Sequence, residues 1–392
     1  MAYTSRRDGS LAAQAISAYF PSAVAPVGAH CAYVDPWLEI NTRNLAWNAA
    51  QVRSLVNGMP IMAVVKCNAY GHGTVGVAQT LQAEGIEHFA VVKVQEAVAL
   101  RENGVTGMIL NFGPISAIEA EQIVRHDISQ SVFSEAVDDL AAAAARLGKR
   151  AKVHVKVDTG LSRVGAPYAQ ALAFIKRVAV QPSLEIEGVF TTLTEEDDYD
   201  SVQIERLQQV CRQAEAEGIS VGVRHAASSA ALTRFPPAHL DMVRPGDAFY
   251  GFEPLPHLDL RPVMSLKTRV ILVKTLQPGD TIAYHRRGKV ERETLLATIP
   301  VGYADGYPFH AVDKAAVLIQ GRRWPLVVYM SANHSFVDIT GSDGIAVGDE
   351  VVLFGSQGEA TIPLTEVAAW GDSSVYKVAT AMSPFLPRVY LE

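Results

Sequence analysis

The segment Ile128–Val157, ISQSVFSEAVDDLAAAAARLGKRAKVHVKV, contains two short runs of strand-forming residues separated by a longer alanine-rich stretch. The runs Ile128–Phe133 and Ala151–Val157 have the length and the β-branched content of buried strands. Between them, Glu135–Leu147 repeats its apolar residues every three or four positions, which is the period of an amphipathic helix. The segment therefore predicts one strand–helix–strand unit with parallel strands.

The same alternation extends in both directions, from about residue 60 to residue 245. The strand-like runs are Ile61–Val65, His88–Val92, Gly107–Asn111, Ile128–Phe133, Ala151–Val157, Leu184–Phe190, Val221–His225 and Leu240–Val243. Parallel strands covered by helices are buried on both faces, which explains why these runs lack a polar face. Eight consecutive units favour an α/β fold built as a closed (β/α)8 barrel of the TIM type over an open doubly wound sheet.

A β-rich second domain is predicted after the barrel. The stretch GFEPLPHLDLRP at 251–262 is proline-rich and is typical of a linker. From Leu266 onward, short alternating segments such as TLLATIPVGYA and EVVLFG are separated by glycine turns. The early strand AYVDPWLEI precedes the first barrel unit and is assigned to this second domain. The predicted domains are an N-terminal arm at 1–31, a strand joining the β domain at 32–41, the barrel at 42–250 and a predominantly β C-terminal domain at 251–392.

Composition excludes several function classes. The chain has 392 residues with 34 basic and 41 acidic side chains, and its net charge of −7 offers no basic surface for nucleic acid or anionic lipid. No apolar run reaches the ~18 residues that span a bilayer. Cys31, Cys67 and Cys211 lie far apart, so we expect neither a disulfide framework nor a metal site, and the chain is interpreted as a cytoplasmic protein.

Functional side chains of (β/α)8 enzymes cluster just beyond the C-terminal ends of the strands. The first run leads into AVVKCNAYGHG, where Lys66 directly follows four apolar residues. A lysine at the desolvated rim of a buried strand binds its proton less tightly and serves as a nucleophile or base. The fifth run leads into HVKVDTGLSRVG, which adds Lys156 and Arg163 to the same mouth. An arginine fork there suits a substrate carboxylate.

The loops after the seventh and eighth runs, HAASSAA and DMVRPGDAFYG, have the composition of a phosphate site. Small residues and a glycine turn at this position let backbone N–H groups cradle a phosphate. Ser229, Gly246 and Asp247 are the candidates. A strand-end lysine opposite a phosphate cradle is the arrangement that pyridoxal 5′-phosphate requires.

From about Tyr33 to its end, the sequence resembles the alanine racemases, the fold-type III family of pyridoxal-phosphate amino acid racemases. AVVKCNAYGHG resembles that family's lysine signature, which usually has alanine at the position of Cys67. The second domain resembles the family in TIAYHRR, TIPVGYADGYP and VYKVATAMSPFLPR. The resemblance implies an isomerase that takes a small amino acid as substrate and works as a homodimer with shared active sites.

The resemblance also implies roles for individual residues. Lys66 is the lysine that carries the cofactor and one of two catalytic bases, and Tyr284 is the other, supplied by the partner subunit. The cofactor's phosphate is expected at Tyr70, Ser229, Gly246, Asp247 and Tyr376, its ring nitrogen at Arg244, and the substrate at Arg163, Ala332 and Tyr303. Lys156 matches a lysine that is often carbamylated in the family.

These residue types suit racemisation. Inversion of the α-carbon requires a base on each face of the cofactor ring, and an amine and a phenol such as Lys66 and Tyr284 supply them. A tyrosine is a weak base unless nearby positive charge favours its phenolate. Arg244 does not give up a proton, so it leaves the ring nitrogen unprotonated and shortens the life of the carbanion. Racemisation is thereby favoured over transamination.

Two departures from the family pattern leave the substrate open. The sixth strand ends in GVFTTLTEEDD, with Thr192 where the family usually has a histidine that supports the tyrosine. VVYMSANHSF has Ala332 and Asn333 where Met-Asp is typical. Alanine is the expected substrate, and serine or a broader set of amino acids is the alternative. A decarboxylase is disfavoured because Arg244 replaces an acidic partner of the ring. A cofactor carrier with impaired catalysis is the alternative of another class.

Overall fold

A computed structural model describes residues 36–392; the predicted N-terminal arm, 1–31, lies outside the described residues. Contacts divide the described chain into two units. The barrel unit comprises Asn41–Met264, Ser374–Thr380 and Glu392, and the β unit comprises 36–40, Ser265–Ser373 and Ala381–Leu391. Two stretches that the sequence analysis assigns to the C-terminal domain, 251–264 and 374–380, therefore belong by their contacts to the barrel unit.

Parallel strands in sequence order form the wall of the barrel unit. They are Met62–Val64, His88–Val91, Ile109–Asn111, Ser129–Val132, Ala151–Asp158, Leu184–Phe190 and Val223–His225, with the short Ala166–Pro167 paired to the fifth. At the eighth position Met242 and Val243 form single bridges to His225 and Ile61, which close the ring. The predicted barrel is confirmed. Its eighth strand is shorter than predicted because the backbone at Leu240 turns into the left-handed region, with a φ of 52°.

One helix precedes the first barrel strand and the others alternate with the strands or follow them. These helices are Thr42–Val56, Thr74–Ala83, Val94–Glu102, Ala117–Arg125, Ala136–Arg146, Tyr168–Ala179, Asp197–Ala216 and Ser229–Arg234. Ser116 and Glu119 form a capping box at the start of Ala117–Arg125, where the Ser116 N–H donates to Glu119 Oε2 at 2.9 Å. Ala136–Arg146 buries Val137, Leu140 and Ala144 on one face, as its apolar period predicts.

The β unit is built around one large sheet. Its strands, in spatial order, are Leu272–Leu276, Thr294–Ile299, Ser335–Asp338, Arg322–Met330, Ala316–Ile319, Glu350–Gln357, Met264–Arg269, Trp37–Asn41 and Arg388–Leu391, with Ala360–Ile362 paired to Glu350–Gln357. A separate ribbon pairs Thr281–Ile282 with Gly288–Lys289. The helices Leu364–Trp370 and Val375–Ala381 lie in sequence between the strands Ala360–Ile362 and Arg388–Leu391. Among residues 36–392, no helix is both long enough and apolar enough to cross a membrane.

Candidate active site

The turn after the first barrel strand presents Lys66 in a strained backbone. Lys66–Tyr70 form one helical turn in which residues 67 to 70 all have positive φ angles, between 50° and 57°. The left-handed conformation costs roughly 1–2 kcal/mol for each residue with a Cβ. The buried carboxylate of Glu96 helps to hold the turn, since its Oε1 accepts the Asn68 N–H at 2.8 Å. The turn places Lys66 Nζ 5.8 Å from the centre of the Tyr70 ring.

Hydroxyl and backbone groups beside Lys66 meet at the loop 246–248, where the sequence predicts a phosphate cradle. The buried Ser229 Oγ lies 2.9 Å from the Gly246 nitrogen and 3.2 Å from the Ala248 nitrogen, and accepts a hydrogen bond from each. Burial, reinforced by the negative charge of Asp247, raises the pKa of Tyr70, so its hydroxyl stays protonated and able to donate. A Cβ added at Gly246 would lie 2.9 Å from the Tyr70 hydroxyl, so the glycine keeps this space open.

Tyr376 joins the cradle from the helix Val375–Ala381. Its hydroxyl donates to Asp247 Oδ2 at 2.9 Å. Burial and the Asp247 carboxylate raise the pKa of Tyr376. The same helix presses against the lysine loop, because a Cβ at Gly71 would collide with the Ala379 carbonyl oxygen. These contacts explain why the segment belongs to the barrel unit despite its position in the sequence.

Arg244 follows the eighth barrel position and is buried among aromatic rings. Its Nη1 group donates to His225 Nδ1 at 2.9 Å, and its Nη2 group donates to the Thr191 and Ala226 carbonyls at 2.9 and 3.1 Å. The guanidinium carbon lies 5.3 Å from the centre of the Phe190 ring. Burial lowers the pKa of Arg244 to about 9, so the side chain is a fixed cation at neutral pH.

The fifth strand contributes Lys156 and, through a tight turn, Arg163. Lys156 is 5% exposed and its Nζ lies 5.5 Å from the centre of the Phe190 ring. Burial, followed by the charges of Arg163 and Arg244, lowers the pKa of Lys156 to about 8. Asp158 Oδ1 accepts the N–H groups of Gly160 and Ser162, both at 3.0 Å, and so shapes the turn that leads to the exposed Arg163.

The remaining predicted site residues lie on the β unit. Tyr284 is 67% exposed and sits on a turn where Ala283 and His285 have positive φ angles of 64° and 60°. An aromatic patch consists of Tyr284, Tyr329, Phe309 and Tyr303, whose successive ring centres are 6.0, 6.0 and 6.2 Å apart. Ala332 helps to place Tyr303, because its carbonyl accepts the Ala304 N–H at 3.0 Å.

The structure therefore places the predicted residues in two groups. The barrel unit holds Lys66, Tyr70, Lys156, Arg163, Ser229, Arg244, Gly246, Asp247 and Tyr376, and the β unit holds Tyr284, Tyr303 and Ala332. Sequence reasoning missed Glu96, which no motif distinguishes from other helical acids. The ring of His225, at the end of the seventh predicted strand, accepts a hydrogen bond from Arg244.

Family models match both parts of the chain. The alanine racemase N-terminal domain matches residues 40–254, and the alanine racemase C-terminal domain matches residues 263–390. An alanine racemase of Desulfovibrio desulfuricans is 39% identical over 366 residues, which cover 91% of this chain and 98% of that protein. One of Symbiobacterium thermophilum is 38% identical over 363 residues, covering 90% and 96%.

Solved structures agree with the sequence matches. The alanine racemase of Clostridium difficile 630 has a TM-score of 0.87 at 32% identity, covering 92% of this chain and 97% of that chain. The alanine racemase of Bacillus anthracis with bound L-Ala-P has a TM-score of 0.85 at 30% identity, covering 92% and 96%. Matches of this extent, in both domains, show that this chain belongs to the alanine racemase family.

Proposed function

We propose that the protein is a pyridoxal-phosphate-dependent racemase that interconverts L-alanine and D-alanine. The observation that carries the proposal is the pairing, in one barrel mouth, of the Lys66 amine with an anion cradle and with the buried cation of Arg244. The alanine racemases to which the chain is similar support the choice of alanine. We expect the protein to work in the cytoplasm, where the free thiols Cys67 and Cys211 would stay reduced.

The chemistry of the barrel mouth fits pyridoxal 5′-phosphate. The space that a Cβ at Gly246 would fill lies beside the Tyr70 hydroxyl, and Ser229 is within hydrogen-bond distance of the same backbone. Tyr70, Ser229, Tyr376 and the backbone at Gly246 and Asp247 would hold the phosphate, while Lys66 would hold the aldehyde end. When bound, the cofactor withdraws the electron pair that deprotonation leaves on the substrate's α-carbon.

The chain's own residues would supply two bases and the substrate contacts. Lys66 would exchange the α-proton on one face of the cofactor and Tyr284 on the other. Arg163 would bind the substrate carboxylate through its guanidinium fork. Arg244 would face the ring nitrogen without giving it a proton, and this limits transamination because the carbanion is short-lived.

We infer that the active enzyme is a homodimer in which Tyr284 completes the partner's barrel mouth. Tyr284 is 67% exposed and belongs to the aromatic patch, which lies next to Arg287. Clustered aromatic rings beside arginine are typical of protein interfaces. The backbone is strained on both sides of Tyr284, and such strain is common at functional sites.

Lys156 is proposed to be carbamylated. Its pKa near 8 leaves a fraction of neutral amine at neutral pH, and a neutral amine adds carbon dioxide to give a carbamate anion and a proton. The anion would lie near Arg163 and Arg244, whose positive charges would stabilise it.

The first experiment is exchange of the α-proton of L-alanine and D-alanine in deuterated solvent, together with racemisation rates. Lys66→Ala should abolish both, as well as the visible absorbance of the lysine-bound cofactor, while Lys274→Ala on an exposed strand should retain them. Racemisation by Lys66→Ala at the wild-type rate would show that Lys66 is not a catalytic base. A cofactor-loaded wild-type protein without α-proton exchange would instead support the impaired carrier suggested by Thr192.

A racemase for serine or larger amino acids is the second candidate. Ala332 leaves more space than a methionine would, and the exposed Asn333 beside it adds a polar group without a charge. Initial rates with a panel of single enantiomers separate the two candidates. A strong preference for alanine removes this candidate, and a faster reaction with serine replaces the first.

A further inference from the structure

A line of hydrogen bonds crosses the interior of the barrel from Arg244 toward the opposite face. Arg244 Nη1 donates to His225 Nδ1 at 2.9 Å, and His225 Nε2 lies 2.9 Å from His154 Nδ1. His154 Nε2 lies 3.2 Å from Glu187 Oε2, which also accepts a hydrogen bond from Ser129. Both imidazoles are completely buried.

The two ends of this line determine where its protons lie. A guanidinium only donates, so His225 Nδ1 must accept and His225 Nε2 must carry the proton. His154 then accepts at Nδ1 and donates from Nε2 to the carboxylate of Glu187. Burial lowers the pKa of both histidines, so each ring is neutral and has a single proton to place.

Glu187 is suited to be the acceptor at the end of the line. Burial alone would raise its pKa, but the hydrogen bonds from His154 and Ser129 outweigh burial and hold the pKa below its ordinary value. Two other titratable side chains interact electrostatically with this carboxylate, Lys152 and His88. Glu187 is therefore ionised at neutral pH, as an acceptor for the whole line requires.

The strand that contains Glu187 also leaves room for the imidazole ring of His154. Gly188 follows it, and a Cβ at Gly188 would collide with His154 Nδ1. The ring of His225 stacks on Phe190 of the same strand, with centres 4.8 Å apart and planes 5° apart. Both rings are therefore closely packed against this strand.

We propose that Glu187 is a positioning residue for the racemase reaction: as the acceptor at the far end it acts together with Arg244 to set the tautomers of His154 and His225, and it thereby helps to hold Arg244 toward the cofactor ring. This inference rests on the proposed function. Arg244 uses three of its five N–H groups in these hydrogen bonds, one on Nη1 and both on Nη2. The remaining two, on Nε and Nη1, would face the ring nitrogen. If the histidine protons moved to Nδ1, His225 would present an N–H to the guanidinium, and two donors would face each other.

The test compares Glu187→Leu, which removes the acceptor, with Glu187→Gln, which keeps an oxygen but loses the charge. Glu187→Asp is the conservative variant, and Glu185→Gln, at an exposed position of the same strand, is the matched control. The tautomers are measured by nuclear magnetic resonance of ¹⁵N-histidine in the full-length protein, with and without cofactor. Racemisation, its pH profile and its ratio to transamination are measured in the holoenzyme.

We expect protons on Nε2 of both histidines in the wild type and the control, and mixed tautomers in Glu187→Leu and, to a smaller extent, in Glu187→Gln. Removing a group that orients a metal ligand costs roughly 10–100-fold in activity, and by analogy kcat should fall by about tenfold and transamination should rise relative to racemisation. Glu187→Asp should recover part of both losses.

Unchanged tautomers and an unchanged ratio of transamination to racemisation in Glu187→Gln would overturn the proposal, even if the variant were less stable. If Glu187→Leu does not fold, Glu187→Gln alone decides the outcome. The proposed function fails separately: a wild type that racemises no amino acid refutes that function, while the tautomers still report whether Glu187 sets them.

Discussion

Glu96 illustrates how one buried carboxylate supports a strained functional loop. It accepts the Asn68 N–H inside the left-handed turn, and its other oxygen accepts the N–H groups of Val92 and Lys93 at 3.4 and 3.3 Å. The left-handed backbone of this turn is strained, and hydrogen bonds such as these offset part of the strain. Lys66, the proposed catalytic lysine, is the first residue of that turn, so Glu96 supports the backbone that positions the amine.

Replacing Glu96 should therefore affect both stability and cofactor binding. We expect Glu96→Ala to lower the free energy of unfolding by about 2–3 kcal/mol, because several backbone donors lose a buried acceptor. Cofactor affinity, followed by absorbance titration, should fall as well. Glu96→Gln keeps an oxygen for Asn68 and should lose less. Glu102→Ala, at the exposed end of the same helix, should change stability by less than ~0.5 kcal/mol.

Lys156 gives the stability a defined pH dependence. Its folded pKa of about 8 lies below the 10.5 of an exposed lysine, so between these pH values the unfolded chain holds more protons than the folded one. Stability then rises with pH across this window, and the charged amine destabilises the fold below pH 8. The shift corresponds to about 3 kcal/mol.

Lys156→Met should remove this dependence. In carbon-dioxide-free buffer and without cofactor, we expect the variant to be more stable than the wild type at pH 7, and the difference to shrink as the pH rises toward and through 10.5. Denaturant unfolding at a series of pH values measures it. Equal differences at pH 7 and pH 10 would contradict the lowered pKa of Lys156. Added bicarbonate should narrow the gap at pH 7 if the amine is carbamylated.

Among the elements, the turn after the fifth strand controls the proposed substrate contact. Asp158 accepts two backbone N–H groups of this turn, and Gly160 fits against Tyr199, where a Cβ would collide with the ring. The long strand Ala151–Asp158 provides the rigid base. Arg163 itself is exposed, so its direction depends on the turn.

Asp158→Ala should loosen this turn and raise KM for alanine by roughly tenfold with a smaller change in kcat, because the loss falls on substrate positioning. Asp158→Asn retains an acceptor oxygen and should stay near the wild type. Steady-state kinetics with both enantiomers provide the measurement. An unchanged KM in Asp158→Ala would show that Arg163 needs no support from this carboxylate.

For the whole molecule, a shared active site predicts that two inactive variants complement each other. In a symmetric dimer, a mixture of Lys66→Ala and Tyr284→Phe chains forms heterodimers in which one site has both wild-type residues. After unfolding and refolding together, about a quarter of the wild-type activity should return. Each variant refolded alone is the control. No recovery from a mixture that forms heterodimers would place both bases in one chain.

Much of the fold could be predicted because the spacing of apolar residues indicates which faces of a strand or helix are buried. Strands such as Ala151–Asp158 and helices such as Ala136–Arg146 appear near their predicted bounds, since parallel strands need two apolar faces and surface helices need one. The barrel-mouth candidates followed from one rule, that residues ending parallel strands meet at the same edge. Lys66 and Lys156 are of this kind, whereas the role of Arg244 was implied by the family resemblance.

Contacts between distant segments could not be predicted in this way. The line from Arg244 through His225 and His154 to Glu187 joins three strands and the eighth barrel position, and nothing in the local pattern of any one of them indicates its neighbours. The attachment of Tyr376 to the barrel unit likewise depends on where a helix about 130 residues downstream of Asp247 packs. Amphipathic periodicity encodes which face of an element is buried, whereas partners across the interior are chosen by packing, hydrogen-bond geometry and the desolvation of charge.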